Sequence, residues 1–291
     1  MKKGLIYTII TAIAFVTFEP VSKLIAGSVS PFGIAFWRFI LGALLLCPFA
    51  IIKVKKDGMH IKAKDWMMMA GLGVLFICIS MTALQFAVGL ADNPALIAII
   101  FSANSVTTIL FAMLILREKM TANKGIAVIL GVIGIAICAD FKTGENLSAV
   151  LLAVVSALTF SIYTVLCRKY TKHLGAAVQT TGSFLLGSIV LLVVLLIGRQ
   201  DIIPEMNTEN VLVMLYIGLF VTGIGYWSYF RAMEKGGTIM ASLAFFIKPV
   251  LTPFATFAIN GIVPDLKVFV AVLFIVGGSY FAVYKKDKKV R

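Results

Sequence analysis

Charge is scarce in this chain, and acid is scarcest: only 13% of the 291 residues are charged, with 13 Asp and Glu against 26 Lys and Arg. An average soluble domain is about 25% charged and about 45–50% apolar. Here 60% of residues are hydrophobic and the mean hydropathy is +1.03. That excess is too large for a globular core and implies a polytopic membrane protein. Histidine is nearly missing: His60 and His173 both lie in basic stretches, so no histidine metal cluster or nucleophilic triad is expected. Cys47, Cys78, Cys138 and Cys167 fall singly in apolar runs, without paired or metal-like spacing, and read as small buried hydrophobes. No loop carries a P-loop, a nucleophile elbow or paired metal ligands. These absences predict no catalytic residue, no metal and no cofactor.

What is present is a series of long apolar runs. A bilayer core about 30 Å thick needs roughly 20 helical residues. Ten segments meet that size, at about 4–26, 31–52, 66–90, 93–116, 122–140, 147–168, 175–197, 210–232, 237–259 and 265–284. Pro31, Pro94 and Pro264 mark helix starts, where a missing N–H costs nothing. The first run is too long for a signal-peptide core and no small-residue cleavage site follows it, so it is expected to be retained.

The net charge of +13 would suggest nucleic acid in a soluble chain. Here the basic residues cluster in short loops, which speaks for membrane orientation instead. With the amino terminus inside, 20 of the 26 Lys and Arg fall on the inner side, three (Lys142, Arg199, Lys267) outside, and three (Lys23, Arg38, Lys248) within segments. The expectation is ten transmembrane helices with both termini cytoplasmic, in the cytoplasmic membrane of a bacterial-type cell. The longest loop, about 198–209, is too short for a soluble domain.

The chain also echoes itself. Ala157-Leu-Thr-Phe160 stands where Phe15-Val-Thr-Phe18 stands in the first helix, and a shift of 144 places Ser105-Val106 on Pro249-Val250 and Gly134 on Gly278. Two five-helix repeats, 1–140 and 145–291, are therefore expected. An odd number of spans sets the second on the opposite side of the membrane, the inverted arrangement of many secondary carriers.

Three local patterns resemble the drug/metabolite transporter superfamily, specifically its EamA-type proteins. Phe15-Val-Thr-Phe-Glu-Pro-Val-Ser-Lys23 sits where that family shows a Trp-Gly-centred stretch ending in lysine. Ser30-Pro-Phe-Gly-Ile-Ala-Phe-Trp-Arg-Phe39 is similar to its Ser-Pro…Arg-Phe opening of helix 2. Leu116-Arg-Glu-Lys-Met-Thr121, followed by Gly125, Gly131 and Gly134, is similar to its Gly-Glu-x-x-Thr…Gly…Gly signature. The chain departs from the pattern at Phe15 and Val16, and Ile262 stands at the position shifted from Glu118. The resemblance implies a ten-helix transporter whose helices 1, 6, 8 and 9 line a central cavity.

Several residues stand out as candidates for that cavity. Glu19 and Pro20 put an acid and a helix breaker side by side in the first span. A carboxylate at that depth costs about 2.5–3.5 kcal/mol by insertion scales and faces a polar interior. Its partner is open at this stage: Lys23 one turn on, Lys248, or a solute amine. Lys248, flanked by Pro249 and Pro253, lies near the middle of the ninth segment, and its shifted counterpart is Asn104. Tyr163 and Trp227 are the aromatics chosen for solute contact, while Arg38 reads as structural. Pro20, Pro249 and Pro253 are the expected helix breaks. The reading is a secondary transporter of small organic solutes, amino acids or related zwitterions moved outward, with Glu19 at the amine and Lys248 at the carboxylate. A proton-coupled exporter of organic cations using Glu19 is the alternative. A small-molecule substrate and the lipid bilayer are the expected partners, with a proton as the candidate coupling ion. Nucleic acid is not among them, and a monomer suffices.

Overall fold

The computed structural model describes residues 2–117, 119, 121–138, 146–202 and 207–283. Every element among these residues is helical. The chain runs through α1 (Lys2–Val16), α2 (Phe18–Leu24), α3 (Pro31–Asp57), α4 (Ala63–Gly73), a π-helical stretch Val74–Met81, α5 (Thr82–Leu90), α6 (Pro94–Ser102), α7 (Asn104–Leu116) and α8 (Ala122–Cys138). It continues with α9 (Leu147–Tyr170), α10 (Gly175–Ile197), α11 (Thr208–Leu215), a second π-helical stretch Tyr216–Ile224, α12 (Gly225–Asn260) and α13 (Leu266–Val283).

Among the described residues, seven helical segments are long and apolar enough to cross a membrane: Gly4–Leu24, Pro31–Asp57, Ala63–Leu90, Pro94–Leu116, Leu147–Tyr170, Gly175–Ile197 and Thr208–Ala232. The chain is a multi-pass membrane protein. Its outward faces show Leu5, Ile9, Ile13, Ile51, Leu114, Ile197 and Leu273, while Thr8, Glu19, Ser22, Ser80 and Gln85 are buried. That distribution suits a bilayer, where the solvent is hydrocarbon and polar groups must find partners inside the bundle.

Helix starts follow the local chemistry. Ser30 caps α3 by accepting from the Gly33 amide, with Pro31 at the first position. Asn93 does the same for α6, accepting from Ala95, with Pro94 behind it. Pro264, in contrast, precedes α13 by two residues, and the Asp265 carbonyl opens that helix by accepting from Val268.

Three departures from continuous helix bear on the site. The first span breaks at Thr17, one turn before Pro20 and where that proline's missing donor is felt. The fourth breaks at Ala103, beside Asn104. Helix α12 is assigned without interruption over 36 residues. Yet the rings of Tyr229 and Phe245 lie 5.7 Å apart. Sixteen residues of straight helix would separate them by about 24 Å. The chain therefore folds back between these two residues, and Phe15 touches both arms, at Tyr226 and at Phe245.

Helix directions follow from the side chains that meet. Phe39 faces Phe76 and Phe32 faces Phe86, so α3 and the α4–α5 span run antiparallel. Met69 lies against Gly182 and Gly73 against Gly187, so α4 and α10 run parallel. It follows that α10 runs opposite to α3, against which it packs. Leu41 against Gly218 and Leu45 against Gly223 make α3 parallel to the Tyr216–Ile224 stretch. At Gly73 on Gly187 a Cβ would run into the Ser183 carbonyl and the Gly187 backbone, so backbone meets backbone there.

Candidate functional site

The centre of the bundle is an ion pair between the first span and the second arm of α12. The break at Thr17 carries Glu19 into the interior on α2, where it is 0% exposed, and Lys248 is 4% exposed. Lys248 Nζ donates to Glu19 Oε1 at 2.6 Å. The ammonium also lies 5.2 Å from the centroid of the Phe101 ring on α6. Among the described residues, Glu19 Oε2 has no hydrogen-bond partner. Taking both charges out of water is offset only by close geometry and full hydrogen bonding, and here one carboxylate oxygen is left over.

Pro249 and Pro253 are both buried and lie within the assigned helix. They remove the amides that would bond the carbonyls of Phe245 and Pro249. Thr252 Oγ1 donates to the Lys248 carbonyl at 2.8 Å, adding a local bond between the two prolines. On the other helix, Asn260 Nδ2 donates to the Pro20 carbonyl at 3.1 Å, so each proline segment is tied across the same interface.

The cavity beside the pair is lined by Phe15, Phe18, Arg38, Met81, Leu84, Phe101, Phe160, Tyr226, Phe245 and Lys248. Its free space is about 20 Å³, room for a single water. That is too small for an amino-acid-sized solute, which requires the walls to part.

The remaining candidates are distributed unevenly. Lys23 does not pair with Glu19; its ammonium donates to the carbonyls of Gly89 at 2.9 Å and Ala91 at 2.6 Å, capping the C-terminus of α5. Asn104 is buried but turned back across the Ala103 break, donating to the Phe101 carbonyl of α6 at 2.7 Å, and it does not line the cavity. Tyr163 stacks on Phe76 at 4.5 Å, and its hydroxyl accepts from Gln179 at 3.2 Å. Trp227 packs edge-on to Tyr7 and lies under the Arg231 guanidinium, away from the cavity. Glu118 lies outside the described residues.

Arg38, read from the sequence as structural, is 5% exposed and turns inward to the cavity wall. Nε donates to Thr222 Oγ1 at 2.9 Å, and the guanidinium lies 3.7 Å from the Phe18 ring centroid. The available signal was a charge about two turns into an apolar helix, opposite a π-helical stretch that no residue pattern announces.

The family model for EamA-like transporters matches residues 2–139 and again 147–284. The chain belongs to the EamA-like transporter family. An uncharacterized transporter of Clostridium kluyveri is 33% identical, across 99% of this chain and 95% of that relative. The S-adenosylmethionine uptake transporter of Rickettsia prowazekii is 21% identical, across 99% of this chain and 94% of its own length. A crystal structure that shares 16% identity superposes with a TM-score of 0.67, covering 97% of each chain, which shows the fold. Membership makes the chain a membrane transporter, and these relatives bear the names of transporters rather than enzymes.

Proposed function

We propose that this family member is a secondary carrier of small zwitterionic metabolites, amino acids or close relatives, moved outward across the cytoplasmic membrane by alternating access. The observation that carries the reading is the buried Glu19–Lys248 pair on the wall of the central cavity. A zwitterion presents the same two charges in the opposite sense. Its amine takes Glu19 and its carboxylate takes Lys248, so one ion pair becomes two with no change in buried net charge. The orphan Glu19 Oε2 is a ready acceptor for that amine. Admitting the solute requires α2 and the second arm of α12 to separate, and the breaks at Thr17, Pro249 and Pro253 are where the backbone gives. The name of the Rickettsia relative joins a solute with an amino-acid head to this family.

The architecture supporting this is two inverted five-helix halves, 1–140 and 145–291. The antiparallel run of α3 and α10 fits inversion. The seven long spans, with α8, the second arm of α12 and α13, make ten. The lysine and arginine distribution supports cytoplasmic termini. One chain carries both halves, so a monomer suffices.

The unpartnered Oε2 also favours a second reading, a proton-coupled exporter of organic cations in which Glu19 binds proton and cargo in turn. Mass spectrometry of the medium of cells making the intact protein or Glu19→Gln separates the two. In the first reading an amino-acid-like solute accumulates outside only with the intact protein. In the second, an organic cation does so, and Glu19→Gln abolishes its coupling to a proton gradient. Identical media would overturn both.

A further inference from the structure

The cavity wall holds more positive charge than the zwitterion reading uses. Glu19 forms its ion pair with Lys248. Arg38 faces the same cavity, 5% exposed, and among the described residues no carboxylate stands within ion-pair distance of it. Two cations and one anion thus share a space with little water to screen them. A guanidinium carries five N–H donors in one plane. Thr222 takes the Nε donor, and the faces of Phe18 and Phe39 lie 3.7 and 4.8 Å from Cζ. The plane is held by these contacts, and among the described residues nothing hydrogen-bonds the terminal nitrogens. That is the geometry of a fork waiting for a carboxylate. Thr222 is itself fixed, because its hydroxyl donates to the Ile217 carbonyl at 2.8 Å across the wide turn of the second π-helical stretch. Such π-helical insertions recur at functional sites.

We propose that Arg38 is the carboxylate anchor of the central site, and that the preferred solute is an amphipathic carboxylate of net charge −1. Its apolar or aromatic body lies among Phe15, Phe101, Phe160, Tyr226 and Phe245. The assignment rests on the carrier reading and departs from it on the solute, a net anion rather than a net-neutral zwitterion. A zwitterion satisfies Glu19 and Lys248 and leaves Arg38 uncompensated; a net anion neutralises the site completely.

Binding of four isosteric probes to the purified full-length chain tests this without relying on transport. Phenylpyruvate, phenylalanine, phenylalanine amide and phenethylamine share a ring and differ in charge. Phenylpyruvate is expected to bind tightest and the two cations weakest, by ligand-induced shift of the unfolding temperature. Arg38→Gln is expected to weaken phenylpyruvate by about ten- to hundredfold, the loss of a charge-assisted pair, and to leave the amide unchanged. Should Arg38→Gln fail to fold, Thr222→Val keeps the cation while releasing its Nε, and is expected to weaken phenylpyruvate selectively. Equal response to all four probes, or a ranking unchanged in the variant that folds, overturns the assignment. If the medium experiment still shows export that depends on Glu19, the carrier reading survives that result. If export fails while the anion ranking holds, the carboxylate site stands and the carrier reading falls.

Discussion

The contact of α2 with α12 and the contact of α9 with α7 occupy matching places in the two halves, and they differ in kind. Glu19 meets Lys248 in the first, buried and ionic, at 2.6 Å. In the second, Ser161 stands where Glu19 stands, and Asn104 where Lys248 stands. Ser161 Oγ donates to the Asn104 carbonyl at 3.0 Å and lies 2.6 Å from Thr107 Oγ1. The α9–α7 contact closes with uncharged hydrogen bonds, and the α2–α12 contact closes with charges. Each contact joins one half to the other, and only one of the two is charged; the helix breaks at Thr17 and Ala103 lie beside one partner in each.

The sharpest way to break this comparison is to neutralise each side in turn. Glu19→Gln alone leaves the Lys248 ammonium, and Lys248→Met alone leaves the Glu19 carboxylate, as an unpaired buried charge, and each is expected to cost about 3–5 kcal/mol of stability. The combined variant is expected to cost far less. Thermal unfolding of the purified proteins distinguishes these outcomes.

Next in size are the two π-helical stretches. Thr222 Oγ1 donates to Ile217 and Thr82 Oγ1 donates to Ile77, the same bond five residues back in both halves. Thr222 alone also holds an arginine. Thr222→Val is expected to cost about 2–3 kcal/mol and Thr82→Val about 1 kcal/mol, read from paired unfolding curves. Equal losses would mean that Arg38 gains nothing from Thr222.

Ser161→Ala removes neutral hydrogen bonds only, with an expected cost of about 1 kcal/mol and no change in solute flux. A flux loss matching that of Glu19→Gln would move the site to the α9–α7 contact.

The smallest effect concerns the ends of α7 and α12. Arg117 caps α7 at φ 54° and Gly261 caps α12 at φ 71°, both left-handed. Glycine adopts that conformation freely and arginine does not. Arg117→Gly is expected to stabilise by about 1 kcal/mol, and Gly261→Arg to destabilise by a similar amount. Equal unfolding temperatures for the variants and the parent would count against the matching of the two ends.

Much of the fold was legible because bilayer thickness and backbone satisfaction leave few options. Gly175–Ile197 appears at the residues hydropathy predicts, and Ser30-Pro31 and Asn93-Pro94 cap as their chemistry requires. The fold-back within α12 is also where two separate apolar runs, at 210–232 and 237–259, had placed a turn. The site was legible only in part. An acid and a base at membrane depth must find partners, so Glu19 and Lys248 announced themselves, and the structure brings them together. What sequence could not give was rotation about each helix axis. That rotation sends Arg38 inward, turns Tyr163 into an aromatic stack, and sets Trp227 against Tyr7. Lys23 shows the same limit: its helical spacing offered Glu19, but the α5 carbonyls were nearer to hand.

Solute export by the combined Glu19→Gln/Lys248→Met variant is the most direct test. Membrane abundance and unfolding temperature are matched to the intact protein before flux is compared. The account predicts a folded carrier that exports nothing, because the groups that hold the solute's charges are gone. Export at the intact protein's rate would contradict it, and would make the pair a tie between helices rather than the place where solute binds.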